Sequence, residues 1–151
     1  MSTRIKISIL ISFLLSFCHG LNAQNKKVER FNFPPEFGKE ETIVLISGLP
    51  GEKTTKAMVT AFEKHYTGKF ATMSSLSIEE MRDTRKYRYI FTVLEIPSMS
   101  GRDMVTWYKF GMKDQKTGKD YDSDFTNSSH KAGAKSYVEN LEKFRKQNSG
   151  L

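Results

Sequence analysis

Hydrophobic residues recur along the chain with two periods, which separate predicted strands from predicted helices. Short β-branched and aliphatic runs predict strands at 42–47, 69–74, 86–96, 103–113 and 120–125. Apolar positions three or four residues apart predict helices at 52–66, 78–84 and 129–146. The order β-α-β-α-β-β-β-α predicts a single α+β domain in which helices pack on a mixed sheet.

Turn and capping signals separate these elements. Ser77 and Glu80 have the spacing of a capping box, which predicts the start of the second helix. The proline and glycine of segment 97–101 predict a turn between the third and fourth strands. Asn127 or Ser128 is expected to cap the last helix, because both side chains can accept a hydrogen bond from a free backbone amide.

The N-terminus has the pattern of a secretory signal peptide. A short basic segment precedes an apolar stretch at 7–17, and the small residue Ala23 follows. The apolar stretch is too short to cross a membrane as a helix, which takes about 20 residues. We therefore expect a signal peptide at 1–23, cleaved before Gln24, and an exported protein in the periplasm or outside the cell. An uncleaved N-terminal anchor is the alternative.

Cys18, the single cysteine, allows a second alternative. It follows Leu15, Ser16 and Phe17 in a segment that resembles a bacterial lipobox, in which the cysteine carries a lipid. Phe17 departs from that pattern, since the residue before the lipidated cysteine is normally small. Lipid anchoring at Cys18 stays open, whereas cleavage after Ala23 would leave a mature chain without disulfide or reactive thiol.

Beyond the signal peptide, the sequence divides into three parts. No hydrophobic period is present at 24–41, where prolines and a glycine interrupt the chain, so we expect a flexible leader with one of its phenylalanines pinned to the domain surface. The α+β domain is expected at 42–147. A frayed tail is expected at 148–151.

The chain is moderately basic. Its formal net charge is +7, and removal of Arg4 and Lys6 with the signal peptide lowers this charge by two, to +5. The basic residues are spread along the sequence, which does not indicate a nucleic-acid-binding tail. The charge is compatible with weak attraction to anionic envelope polymers or lipid head groups, and equally with solubility alone.

The segment Gly48–Thr55 combines glycines, a lysine and two threonines between the first strand and the first helix. A nucleotide-binding P-loop needs a glycine directly before its lysine, and here Glu52 stands there. We therefore expect no nucleotide cofactor. A helix N-terminus still offers free amides, so Lys53, Thr54 and Thr55 form a candidate site for a small anion. The alternative is an ordinary strand-to-helix turn.

Aromatic and basic residues alternate on two predicted neighbouring strands. One interpretation of Tyr87, Tyr89, Trp107 and Tyr108 is an exposed aromatic-basic face that stacks sugars or bases, or holds an anionic glycan. The other is that these residues fill the core below the helices. Core packing is the preferred interpretation, because apolar residues continue along the same faces.

Two further groups lack the pattern that metal or acid–base chemistry needs. Asp120, Asp122 and Asp124 alternate like the first ligands of a calcium loop, but the later glycine and glutamate of an EF-hand are missing. No motif places a nucleophile or an acid beside His65 or His130. We expect no metal site and no cofactor.

These patterns favour an exported, non-enzymatic binding or accessory protein of the cell envelope, whose partner is a protein or an anionic glycan. The mature chain is expected to carry no transmembrane segment. The alternative function is a small exported hydrolase that acts on an anionic substrate near the Gly48–Thr55 turn. A third interpretation is a subunit whose aromatic face is buried in an oligomer.

Overall fold

A computed structural model describes residues 31–48 and 51–150. The predicted signal peptide at 1–23, with Cys18, lies outside these residues, as does the first part of the predicted leader. The strands are β1 (Ile43–Ile46), β2 (Lys69–Thr72), β3 (Tyr89–Ser100), β4 (Asp103–Asp114) and β5 (Lys119–Asn127). The helices are α1 (Glu52–His65), α2 (Ile78–Met81) and α3 (His130–Ser149), and a 3-10 turn at Met73–Ser75 precedes α2.

The five strands of the described residues form one mixed sheet in the order β2-β1-β3-β4-β5. β1 pairs in parallel with β2 and with β3, whereas β3, β4 and β5 form an antiparallel meander. α1 and α3 pack against each other and against the sheet. The predicted α+β class and single domain are therefore confirmed, and the elements follow the predicted order, with the 3-10 turn added.

Aromatic rings fill the space between the sheet and the helices. The ring of Phe91 in β3 lies 5.2 Å from that of Phe62 in α1 and 5.0 Å from that of Tyr137 in α3, between centroids. Gly133 lets α3 approach β4, because an added Cβ would overlap the ring of Phe110. One sheet face and two helix faces thus share a single buried layer.

The core begins before β1. Phe33 and Phe37 lie in the segment that the sequence assigned to a leader, yet Phe37 is only 1% exposed and both belong to the buried cluster. The Phe37 ring lies 5.1 Å from that of Tyr89. Asn148 donates a hydrogen bond to the Phe37 carbonyl at 2.8 Å, from a helix that continues to Ser149. Non-periodic phenylalanines and the end of α3 therefore close one side of the core.

The predicted turn at 97–101 is wrong. β3 continues through Pro97, which pairs with Thr106, and the chain turns only at Gly101, whose φ is +64°. The Phe91 carbonyl accepts a hydrogen bond from the amide of Ser47, the residue that follows β1. Alternate residues of a strand direct their backbone groups to the same side, so the odd-numbered residues of β3 direct theirs away from β4. Pro97 is one of these odd-numbered residues, and it lies beyond Phe91, the last residue of β3 that pairs with β1. In the part of the chain that the structure describes, the strand edge on that side has no partner there, so a proline without an N–H costs no hydrogen bond of the sheet.

The predicted cap of the last helix is also wrong by one or two residues. Ser129 is the N-cap of α3, because its hydroxyl accepts a hydrogen bond from the Ala132 amide at 3.3 Å. Asn127 instead accepts a hydrogen bond from the Ser129 amide at 2.8 Å. Asn127 therefore fixes the turn between β5 and α3 and leaves the capping to Ser129.

Glu142 links α3 to the turn that follows α1. Its carboxylate accepts hydrogen bonds from Thr67 Oγ1 at 2.6 Å and from Arg145 Nε at 2.9 Å. Burial opposes the ionisation of Glu142, but these hydrogen bonds outweigh it and lower the pKa to about 2 from an ordinary 4.5. The charged carboxylate therefore stabilises the contact between the two helices.

Acidification is expected to remove this contribution. Because the folded-state pKa of Glu142 lies below its ordinary value, the contribution is complete above about pH 4.5 and is lost as the pH falls toward 2. Glu142→Gln should lower the free energy of unfolding at pH 7 by about 2 kcal/mol. The melting temperatures of the wild-type protein and of this variant should then approach each other as the pH falls from 7 to 2. Glu63→Gln, at an exposed position, is the control. A difference in melting temperature that stays constant with pH would contradict the proposed role of the Glu142 carboxylate.

Two buried tyrosines leave a polar atom without a partner. Within the described residues, the hydroxyl oxygens of Tyr89 and Tyr137 have no hydrogen-bond partner. Burial raises the pKa of Tyr137 far above its ordinary value, and it raises that of Tyr89 to about 12. The aromatic rings are needed for packing, whereas the Tyr137 hydroxyl is desolvated without compensation.

Removal of the Tyr137 hydroxyl should therefore stabilise the fold. Tyr137→Phe keeps the ring contacts with Phe91 and is expected to raise the free energy of unfolding by about 1–3 kcal/mol. Urea denaturation followed by circular dichroism measures the change. A loss of stability would mean that the hydroxyl makes a hydrogen bond in solution.

Candidate functional site

A groove of about 860 Å³ lies between α1 and α3. It is lined by Lys53, Lys56 and Lys64 of α1 and by Lys131 and Lys135 of α3, and we call it the basic groove. These five lysines are exposed. None of the residues that line the groove is Asp or Glu.

The basic groove follows from the helical spacing of small and basic residues in α1. Ala57, Thr60 and Ala61 form its floor, and lysines flank them three or four residues away on the same face. The adjacent face carries Met58 and Phe62, which are fully buried. The small floor residues leave space between the helices, whereas longer side chains there would fill it.

The two helices run in the same direction. Thr54, at the start of α1, donates a hydrogen bond to Glu95 at 3.3 Å, and Glu95 pairs in register with Tyr108. The Tyr108 ring lies 5.4 Å from that of His130, at the start of α3. Both helix N-termini, each with a partial positive charge, therefore lie at the same end of the basic groove.

An acidic residue lies beside the opposite end of the groove, outside its lining. Glu139 Oε1 lies 3.4 Å from His65 Nδ1 and 3.9 Å from Lys135 Nζ. His65 and His130, which the sequence left unplaced relative to each other, line the same groove near its two ends. Glu139 therefore offsets part of the positive charge at this end of the groove.

The side chains of the predicted anion site, Lys53, Thr54 and Thr55, do not point to one shared ligand position. Lys53 lines the basic groove, but the hydroxyl of the buried Thr54 donates to the Glu95 carboxylate. The Thr55 hydroxyl donates to the Gly51 carbonyl at 2.8 Å. Each threonine thus uses its single donor within the protein. Of the three residues, only Lys53 contributes to the observed groove.

The predicted aromatic-basic face is also divided. Tyr87 and Tyr89 are 3% and 1% exposed, so their rings offer no surface to a sugar. Tyr108 and Trp107 are consecutive in β4 and therefore point to opposite faces of the sheet. Trp107 alone is substantially exposed, at 40%. The aromatic residues of this group therefore fall into separate environments: Tyr89 belongs to the buried core cluster, whereas Tyr87 is buried outside it.

The hydrolase alternative placed chemistry at the Gly48–Thr55 turn. Residues 49 and 50 of that turn lie outside the described part of the chain. In the described part, both threonine hydroxyls donate to protein oxygens. No three His, Cys, Asp or Glu side chains of residues 31–48 and 51–150 are grouped as metal ligands.

Local motifs could not reveal the basic groove. Its lysines belong to two helices separated by more than sixty residues of sequence. In α1, lysines and small residues recur at three- and four-residue spacing. This pattern indicates a groove only once α3 is known to lie beside α1. The sequence therefore pointed to Lys53 for a local reason and missed its neighbours across the groove.

No family model matches the chain. No curated protein is similar to it in sequence. Among solved structures, it is similar to the dodecamer of a PelC point variant from Paraburkholderia phytofirmans, with a TM-score of 0.43 and 10% identity over 70% of this chain and 91% of that chain. No helix of the described residues is long and apolar enough to span a membrane.

Proposed function

We propose that the protein is an exported, non-enzymatic binding or accessory protein of the cell envelope and that its basic groove holds an anionic ligand. The observation that carries this proposal is the concentration of five lysines around one concave surface with no acidic lining. Concave surfaces lined by one sign of charge attract ligands of the opposite sign. The ligand is an anionic envelope component, either a protein or a glycan.

The lysines of the groove are not needed to neutralise acidic residues. In the described part of the chain, no carboxylate lies within ion-pair distance of Lys53, Lys56, Lys64 or Lys131, whereas Lys135 is near Glu139. Like charges held close together oppose folding. Several lysines close together without acidic partners are typical of a surface that binds a negatively charged partner.

The export part of the proposal rests on the N-terminal pattern. The signal peptide at 1–23, with cleavage before Gln24, would deliver the domain to the periplasm or beyond. Lipid attachment at Cys18 would instead hold it at a membrane.

A charge-removal experiment tests the groove. Lys56→Ala/Lys131→Ala should weaken binding to immobilised dextran sulfate about thirtyfold, since each lysine near an anionic surface contributes about 1 kcal/mol and about 1.4 kcal/mol is a factor of ten. Biolayer interferometry at constant ionic strength measures the change. Glu139→Gln, which removes the carboxylate beside the groove, should strengthen binding.

The matched control is Lys113→Ala/Lys116→Ala. It removes the same charge from exposed positions at the end of β4 and in the following turn, away from both helices. The control protein should bind dextran sulfate with nearly unchanged affinity. An equal loss in both double variants would show that net charge, and not the groove, determines binding.

A further inference from the structure

The positive charges of the basic groove are distributed along its length. Lys53 and Lys64 are eleven residues apart in α1, which corresponds to about 16 Å at a rise of 1.5 Å per residue. Lys56 lies between them in the same helix and also lines the groove. A small anion could reach two of these groups at most, and the others would stay without a partner.

A second row of positive groups faces the first. Lys131 and Lys135 are one helical turn apart in α3, about 6 Å along an axis that runs parallel to α1. Ala57, Thr60 and Ala61 also line the groove. Ammonium groups of both helices along one groove form a track that fits a linear ligand with repeated negative charges.

We propose that the ligand is a linear acidic polysaccharide that lies along the basic groove, parallel to both helices, with successive acidic groups meeting lysines of the two rows. This inference rests on the proposed function, because it names the ligand class for the same groove. Lysine suits the role, since its ammonium is a compact charge on a flexible stem that can follow an irregular polymer. The Thr60 side chain on the floor offers a hydroxyl to sugar hydroxyl groups.

The floor disfavours a single-stranded nucleic acid. Proteins that bind single strands combine a positive groove with aromatic side chains on which the bases stack. No residue that lines the basic groove is Phe, Tyr or Trp. The ring of His130 at one end already contacts Tyr108. The groove therefore provides charge and hydrogen-bonding groups but no stacking platform.

The length of the ligand provides the decisive experiment. Isothermal titration calorimetry would compare galacturonic acid with its dimer, tetramer and octamer, and with a neutral galactan octamer. We expect no measurable binding of the monomer or of the neutral oligomer. Affinity should rise with length until the oligomer fills the groove and should then level off. The dependence of affinity on salt should rise in parallel, because each added contact releases counterions.

Variants at the two ends of the track provide an internal control. Lys53→Ala and Lys64→Ala should each weaken binding of the octamer about fivefold, since each lysine near an anionic partner contributes about 1 kcal/mol. The dimer cannot span the distance between these positions, so at most one of the two substitutions should affect it. Lys113→Ala, outside the groove, should change neither affinity.

The possible outcomes separate this inference from the proposed function. Binding of the monomer as tightly as the octamer, or no loss with the octamer in either end variant, would overturn the linear ligand and leave an anion-binding groove. An oligothymidylate of equal charge that binds with the same length dependence, or equal binding of the neutral galactan, would overturn the acidic polysaccharide. Failure of dextran sulfate to bind would overturn the proposed function itself.

Discussion

The contact of Phe91 with both Phe62 and Tyr137 determines how the rest of the molecule is arranged. Phe91 lies on the central strand of the sheet, and its ring meets one ring from each long helix at centroid distances of 5.2 and 5.0 Å. Because aromatic rings at these distances bury apolar area and attract one another, each helix is held over the same strand. The helices consequently lie side by side, and the groove between them is a result of the core below.

The core and the groove require different side chains on the two faces of α1 and α3. The inner faces bury large apolar side chains, whereas the outer faces bring together lysines that repel one another. The clamp of Glu142 with Arg145 and Thr67 acts at the far end of the helix pair, where Glu139 also moderates the positive charge. The clamp thus links the two helices at the end that lies away from their N-termini.

Much of this fold could be predicted from hydrophobic periodicity, because most of its elements bury one face and expose another. The alternation in β3 and the three- and four-residue spacing in α1 and α3 are of this kind. Periodicity could not detect Phe37, which packs from an irregular segment, or Pro97, whose place in a strand depends on which edge lacks a neighbour. The basic groove needed knowledge of which helices touch, and only Lys53 of its lysines was singled out beforehand.

Pro97 affects the tendency of this protein to aggregate at high concentration. Beyond Phe91, the outer edge of β3 has no neighbouring strand among the described residues, and an edge of this kind can recruit a strand from another molecule. A recruited strand would need a regular series of backbone donors, and proline interrupts that series in the middle of the free segment. The outer edge of β3 can therefore extend past β1 without offering an uninterrupted template on which a second molecule could add a strand.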